Sequence, residues 1–533
     1  MTSGHLQDAQ HPHTIRLNLP VFISSALVLL RLVLATLLSP GSSEQWLEQA
    51  LLWVSKMFGW YYLLLVGGVL VFVIWLALSR FGSLKLGSDD QPADFGYLSW
   101  STMLFSAGIG IALVYYGTYE PLEHFLQPPE GKGGTIEAAR RAMVLTFFHW
   151  GVHGWALYAL IATVIAWFAY RRGQPLALRS ALSSLIGRRI DGWAGHIIDS
   201  FGILVTIIAM VLHLGMGAEL INSGLNYLFG VPESLSVKII LIIIMMSVVT
   251  LAVVAGVKKG IALISNINVI ALSLLLLILF AGQTLHLVDG LLQNIGDYLN
   301  NIVGQSFNLY LYGKAQQWQS SWTLFFWAWW LVWSPFIGLF IARISRGRTV
   351  RALIFGTMLI PLGFTFVWLS LFGNTAITIV LDYKDTLLGQ VALSDPAMSV
   401  YKMLESLPWR GFTAGFTLVV TFLLFITPID SSTLMVANLS SAGGAVTDDA
   451  PMWLRVFWSV IITLVCGGLL YSGDFDTIRT VVVLFGLPFS GVVILYIVAF
   501  YRELRKTEIL KQEQGGVKLH NTDSIHQDVT NKL

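Results

Sequence analysis

Charge is what this sequence has least of. Lys, Arg, Asp and Glu make up 12% of its 533 residues, where an ordinary soluble domain carries about 25%. The charges nearly cancel, at a net +2, so no long-range field argues for nucleic acid as a partner. Cysteine occurs once, as Cys466 in an apolar run, which excludes a disulfide framework and a cysteine-built metal site. No G-x-x-x-x-G-K-S/T stretch is present, which argues against a nucleotide-driven pump, and no H-E-x-x-H against a zinc hydrolase. Nothing in the chain asks for a cofactor. The first apolar run, from about Pro20, is not followed by a small-residue cleavage pattern and reads as a retained span, not a signal peptide.

What the chain has in abundance is apolar length. It is 55% hydrophobic with a mean hydropathy of +0.71, the composition of an all-α polytopic membrane protein. Twelve apolar runs are long enough to span, at about 20–38, 59–79, 98–117, 142–169, 195–228, 236–255, 261–283, 322–342, 352–374, 411–437, 453–472 and 478–500. Residues 1–19 and 501–533 are polar tails around one twelve-span domain, 20–500. Between the seventh and eighth runs, Leu287–Tyr310 is too polar to span and reads as an amphipathic surface helix. Most of the Lys and Arg, including Arg171, Arg172, Lys258, Lys259, Arg343, Arg346 and Arg348, fall on the side of both termini. The positive-inside rule then puts both ends in the cytoplasm.

Two runs carry helix-breaking chemistry at mid-depth. The third contains Gly108 and Gly110, the tenth Pro428 and Asp430. Broken backbone inside a bilayer survives only where it is buried or lines a polar cavity. The interruptions suggest two inverted five-helix repeats, about 98–283 and 322–500, with solute held between them.

The most informative stretch is Ser321–Arg348. Trp329, Trp330 and Trp333 share about 100° of helical arc, and Trp327 widens it to about 160°. Tryptophan normally gathers at the two water interfaces; here it sits in the middle of a span. In the fourth run Trp150, Trp155 and Tyr158 share about 140° of one wall. Two facing aromatic walls can box a quaternary ammonium group, which has no N–H to donate and is held by ring faces. The plainer reading of each wall is core packing. His149 and His153 point off that wall and read as buried, hydrogen-bonded residues, with a proton-handling role open to them and to His213. Free backbone at Gly108 and Gly110 can meet an ion or a carboxylate. Thr427, Ser431 and Ser432 offer hydroxyls to a hard cation. Asp430 is an intramembrane carboxylate, a default candidate for ion coupling, whose plainer roles are to cap the broken helix or to pair with an Arg at the cytoplasmic edge.

FFWAWWLVWSPFIGLFIARISRGRTV, FFHWGVHGWALY and AGIGIALVYYGTYEPLEHF closely resemble the eighth, fourth and third spans of the betaine/choline/carnitine transporter family. The resemblance covers roughly residues 15–505. It implies a LeuT-like fold of twelve spans, a homotrimer in a bacterial inner membrane, and ion-coupled import or exchange of an onium solute, often for osmoprotection. It implies that Trp150, Trp155, Tyr158, Trp327, Trp329, Trp330 and Trp333 hold the trimethylammonium group, with Tyr115 completing the cage.

The departures from the family bear on coupling. Sodium-coupled members carry a Thr-Ser pair where this chain has Thr427-Pro428, and two threonines where it has Thr206 and Met210. Exchangers carry an arginine where it has Val269. These losses favour a proton over sodium. Choline-type members often carry an aspartate at the place of Ala112, and its absence leans toward a zwitterion such as glycine betaine. An enzyme would need a catalytic set that the spans do not show, and a non-transporting sensor would have no use for interrupted spans.

Overall fold

The computed structural model describes residues 16–108, 110–255, 267, 270–277, 284–313, 315–382, 386–407, 409–442 and 450–530. Val269 lies outside them, as do most of the seventh apolar run and the side chain of Thr427. Almost everything described is helix: α1 (Leu19–Leu38), α2 (Pro40–Leu78), α3 (Tyr97–Gly108), α4 (Ile111–Leu126), α5 (Ile136–Trp150), α6 (Val152–Ala166), α7 (Trp193–Phe229), α8 (Leu235–Ala255), α9 (Thr284–Ser306), α10 (Phe325–Ile344), α11 (Val350–Leu381), α12 (Arg410–Leu439) and α13 (Met452–Thr530). Shorter turns connect them. The described strands are two residues long, Arg16–Leu17 pairing antiparallel with Ser441–Ala442.

Among the described residues, nine helical stretches are long and apolar enough to cross a membrane. The difference from twelve has three sources. The third run is split into α3 and α4, each too short alone. The seventh is mostly undescribed. The eleventh and twelfth join in α13, which departs from helical geometry at Gly473 and Asp474.

Burial ranks the helices from rim to centre. The apolar windows of Ile136–Arg171 and Gln316–Ile344 are 94% buried and that of Trp193–Phe229 is 89% buried, against 33% for α1. The centre is therefore α5, α6, α7 and α10, while α1 keeps Leu27, Leu34 and Leu38 on the outside. Small residues let α6 and α10 approach closely: a Cβ on Gly338 would lie 2.4 Å from Ile161 Cγ2. The surface helix expected at Leu287–Tyr310 forms as α9. Its exposed Val288, Leu292, Leu299 and Val303 make one apolar stripe, while Asn294 Nδ2 donates inward to Ser370 Oγ at 3.0 Å.

Two expectations about broken spans need correcting, and one stands. The third run does break, with α3 ending at Gly108 and α4 starting at Ile111. The tenth does not: α12 runs unbroken through Pro428. Proline within a helix removes one amide and kinks the axis without having to end it. The fourth run, expected to be continuous, breaks at Gly151 (φ −83°, ψ −157°). Tyr298 of α9 fills the break and accepts a hydrogen bond from the Val152 N–H at 3.2 Å. A Cβ on residue 151 would lie 2.4 Å from both the Phe147 carbonyl oxygen and Tyr298 Oη.

Candidate functional site: an aromatic cage

The cage forms where α6 and the end of α5 face α10. Trp330 is its keystone. Its ring centroid lies 5.3 Å from that of Trp155 and 4.9 Å from that of Tyr158. Trp150 stands near-perpendicular to Trp329, at 5.6 Å and 83°. These rings surround a cavity of about 100 Å³, several times the space that one water needs. The lining is Trp150, Trp155, Tyr158, Trp329, Trp330 and Trp333, closed by Gly110, Ala112, Leu113, His213, Ile337 and Pro428. Among the described residues, no carboxylate and no Lys or Arg is in that wall. An onium head placed here would meet ring faces, where cation–π attraction is worth about 0.5–2 kcal/mol depending on how far the site is desolvated.

The indole N–H groups divide into two kinds. Trp150 Nε1 donates to Glu120 Oε2 at 2.8 Å, and Trp330 Nε1 donates to the His149 carbonyl at 3.0 Å. These bonds fix the two rings. Trp155 Nε1 and Trp329 Nε1 are buried with no partner among the described residues, so they remain as donors.

His213 of α7 is the imidazole in the wall, with its ring 5.9 Å from Trp333 at 81°. Its placement follows from Pro428. Proline has no amide, so the carbonyl four residues back, at Leu424, lacks its helical donor. The His213 ring meets that carbonyl, while its Nε2 has no partner among the described residues. The bond made by one ring nitrogen sets the role of the other: with Nδ1–H spent on Leu424, neutral His213 keeps Nε2 as an acceptor.

Several residues singled out in the sequence stand elsewhere. Trp327 packs against Phe148 at 5.1 Å and His153 at 5.4 Å and is not in the cavity wall. Tyr115 stacks behind the wall on Tyr116 at 5.0 Å and Phe475 at 5.7 Å. Gly110 lines the cavity in extended backbone, and Gly108 is the last residue of α3. Asp430 is buried away from the lining, with Oδ1 unpartnered among the described residues and Arg455 near enough to act on it electrostatically. Ser431 is half-buried and also outside the wall, and Ser432 Oγ donates to the Pro428 carbonyl at 2.6 Å. Thr206 Oγ1 is buried without a described partner. His149 and His153 are buried and bonded as expected, to Thr323 Oγ1 at 3.0 Å and Ser306 Oγ at 2.9 Å.

Sequence reasoning missed Glu120. It is fully buried beneath Trp150. The available signal was an acidic residue that follows the uncharged apolar run 98–117, directly before Pro121.

Comparison with known proteins identifies the family. Residues 20–509 match the family described as BCCT, the betaine/carnitine/choline family of transporters, and the chain belongs to that family. It is therefore a transporter, not an enzyme. It is 50% identical over 520 residues to an osmo-independent choline transporter of Acinetobacter baylyi, covering 96% of this chain and 98% of that one. It is 43% identical to a high-affinity choline transport protein of Escherichia coli, over 94% of this chain and 74% of the relative. A glycine betaine transporter of Bacillus subtilis is 38% identical, over 90% of this chain and 94% of its own length.

Proposed function

We propose that this chain imports choline across the bacterial inner membrane by symport with a proton. The observation that carries the reading is the character of the cavity wall: among the described residues, six aromatic rings, no charged side chain, and His213 with Nε2 left to accept. Choline has one hydroxyl, which can donate to that nitrogen. A carboxylate would enter a wall without a cation, an expensive place for an unpaired charge. The relatives at 50% and 43% identity are named for choline and the one at 38% for glycine betaine. Together these outweigh the lean toward a zwitterion drawn from Ala112. Glycine betaine is the second reading, favoured by the free N–H groups of Trp155 and Trp329.

The rest of the proposal follows the family. The chain has twelve spans in two inverted five-helix repeats, 98–283 and 322–500, a reading supported by the break in the third span. Both tails, 1–19 and 501–533, are cytoplasmic, and three copies assemble as a homotrimer. Proton coupling is supported by Pro428 and Met210, which supply no hydroxyl where hard sodium would need oxygen ligands. Thr427, Asp430 and Ser431 remain candidates for an ion on α12.

The test is uptake of labelled choline into proteoliposomes with each gradient imposed singly, competed by glycine betaine, carnitine and tetramethylammonium. Choline accumulation on an inward proton gradient supports the reading. Accumulation on sodium alone, or a tenfold preference for glycine betaine (about 1.4 kcal/mol), rejects it.

A further inference from the structure

Behind the cage, on the far side of Trp150, three titratable side chains from two helices converge. Glu120 and His124 come from α4 and His149 from the end of α5. Their ligand atoms lie within 4.8 Å of one another, and all three side chains are 0% exposed. His149 Nδ1 is 2.7 Å from Glu120 Oε1, and its Nε2 is 3.0 Å from Thr323 Oγ1. His124 Nε2 is 3.4 Å from the same Glu120 oxygen. Yet neither His124 ring nitrogen has a hydrogen-bond partner among the described residues. A buried imidazole with both nitrogens idle beside a buried carboxyl is costly unless the site serves another state.

The surroundings point to the kind of ligand. His149 stacks on Phe326 at 4.7 Å and 4°, and His124 stands 4.5 Å from Trp322, so the cluster is walled by rings. On α4 itself, Tyr116, Tyr119 and Glu123 are its titratable neighbours. From α13, Arg479 acts on Glu120 electrostatically and is itself paired with Asp476 at 3.0 Å. The Arg479 guanidinium opposes any added cation, and by Coulomb's law it opposes a divalent metal ion twice as strongly as a proton, so a proton is the cation this cluster fits better.

We propose that Glu120, His149 and His124 form the site at which this transporter takes up its coupling proton, and that Trp150 carries the change to the cage. The inference rests on the reading of the chain as a proton-coupled importer. With Glu120 ionised, Oε1 accepts from His149 and Oε2 accepts from Trp150, and the indole is held. A proton arriving adds to the Glu120–His149 pair, with no other bond made or broken, and His124 offers a further acceptor 3.4 Å away. Protonated Glu120 is a weaker acceptor, because charge-assisted hydrogen bonds are roughly twice as strong as neutral ones. Trp150 is then freer to shift against Trp329 and Trp330, its neighbours in the wall. With the termini inside, the exposed Asp476 lies between the last two spans on the outer side and its partner Arg479 begins the twelfth, so this pair marks the side of the cluster that faces the compartment from which the proton comes.

The experiment uses the full chain, with choline as the probe. Infrared difference spectra on adding choline should show the carbonyl stretch of a protonated carboxyl in wild type. The band should vanish in Glu120→Gln and persist in His153→Gln, whose ring faces Ser306 instead. In proteoliposomes, one pH unit supports roughly tenfold accumulation at one proton per solute and zero potential. Glu120→Gln and His149→Gln should both lose that accumulation, and tryptophan fluorescence with choline shows whether each variant is folded. No carboxyl band in wild type, or a band or gradient-driven accumulation that survives in Glu120→Gln, overturns the proposal. Wild type that binds no choline at all would instead reject the functional reading on which it rests.

Discussion

Trp330 lies across the backbone of Gly154, so close that a Cβ on residue 154 would sit 2.1 Å from Trp330 Cε2. Nothing in the ring can yield that distance without moving away from Trp155 and Tyr158. Gly154→Ala should therefore leave the helices formed and open the cage. Losing the contact of one desolvated ring costs about 2 kcal/mol, roughly thirtyfold in affinity. Tryptophan-fluorescence titration with choline measures it, and unchanged affinity would mean that the α6–α10 approach is not what sets the cage.

Trp333 and Trp327 share a helix and should differ in kind. Trp333→Leu removes a ring from the cavity wall and should weaken onium binding by roughly thirtyfold, with Trp333→Phe losing less. Trp327→Ala empties a packed site between Phe148 and His153, a change that costs about 3–5 kcal/mol of stability. Its folded fraction should bind choline as wild type does. Thermal melts beside binding titrations separate the two, and equal binding losses would return Trp327 to the site.

His213 makes its own contrast. His213→Phe keeps a ring and deletes the acceptor. One hydrogen bond is worth about 0.5–1.5 kcal/mol, so choline affinity should fall about two- to tenfold, while tetramethylammonium, with no hydroxyl, should bind unchanged. Pro428→Ala returns an amide to the Leu424 carbonyl and should shift selectivity the same way without touching the ring. Competition binding with both ligands reads this directly; equal losses for the two would show that His213 only packs.

At the surface, Arg140 straddles Asp297 of α9, with Nε–Oδ2 at 2.9 Å and Nη2–Oδ1 at 2.6 Å. That hydrogen bonding holds the Asp297 carboxyl below its usual range. A lowered carboxyl adds stability at neutral pH, lost as pH falls through the carboxylate range. Because Arg140 is exposed and the pair is screened by solvent, Asp297→Asn should cost little stability. Hydrogen exchange in α9 should rise in that variant at neutral pH and match wild type in acid.

Helical arithmetic recovered much of the cage and little of what braces it. Trp150, Trp155, Tyr158, Trp329, Trp330 and Trp333 were legible because a 3.6-residue period puts them on two walls. Trp327 lay at the edge of that arc, and only packing on Phe148 and His153 shows which side it takes. Glu120 was not legible as a partner of Trp150, since the contact joins residues 30 positions apart with no periodic signature. The break at Gly151 was missed because a lone glycine in an apolar run is ordinary; the reason for it is a tyrosine from another helix. Proline misled in the opposite sense at residue 428, where α12 continues and a histidine serves the stranded carbonyl. The all-helical, many-spanned architecture was plain from apolar run length alone.

The hydroxyl of Tyr298 joins two regions that otherwise share no chemistry. It belongs to a helix whose outer stripe is bare, and it ends on the amide next to Gly151, one peptide unit from Trp150. Phe366 braces the same ring from α11, 5.3 Å away. This helix, α9, is thus a handle on the aromatic cavity. An antibody fragment that pries it outward would pull at the notch beside Trp150 and act as a brake on a carrier it never enters.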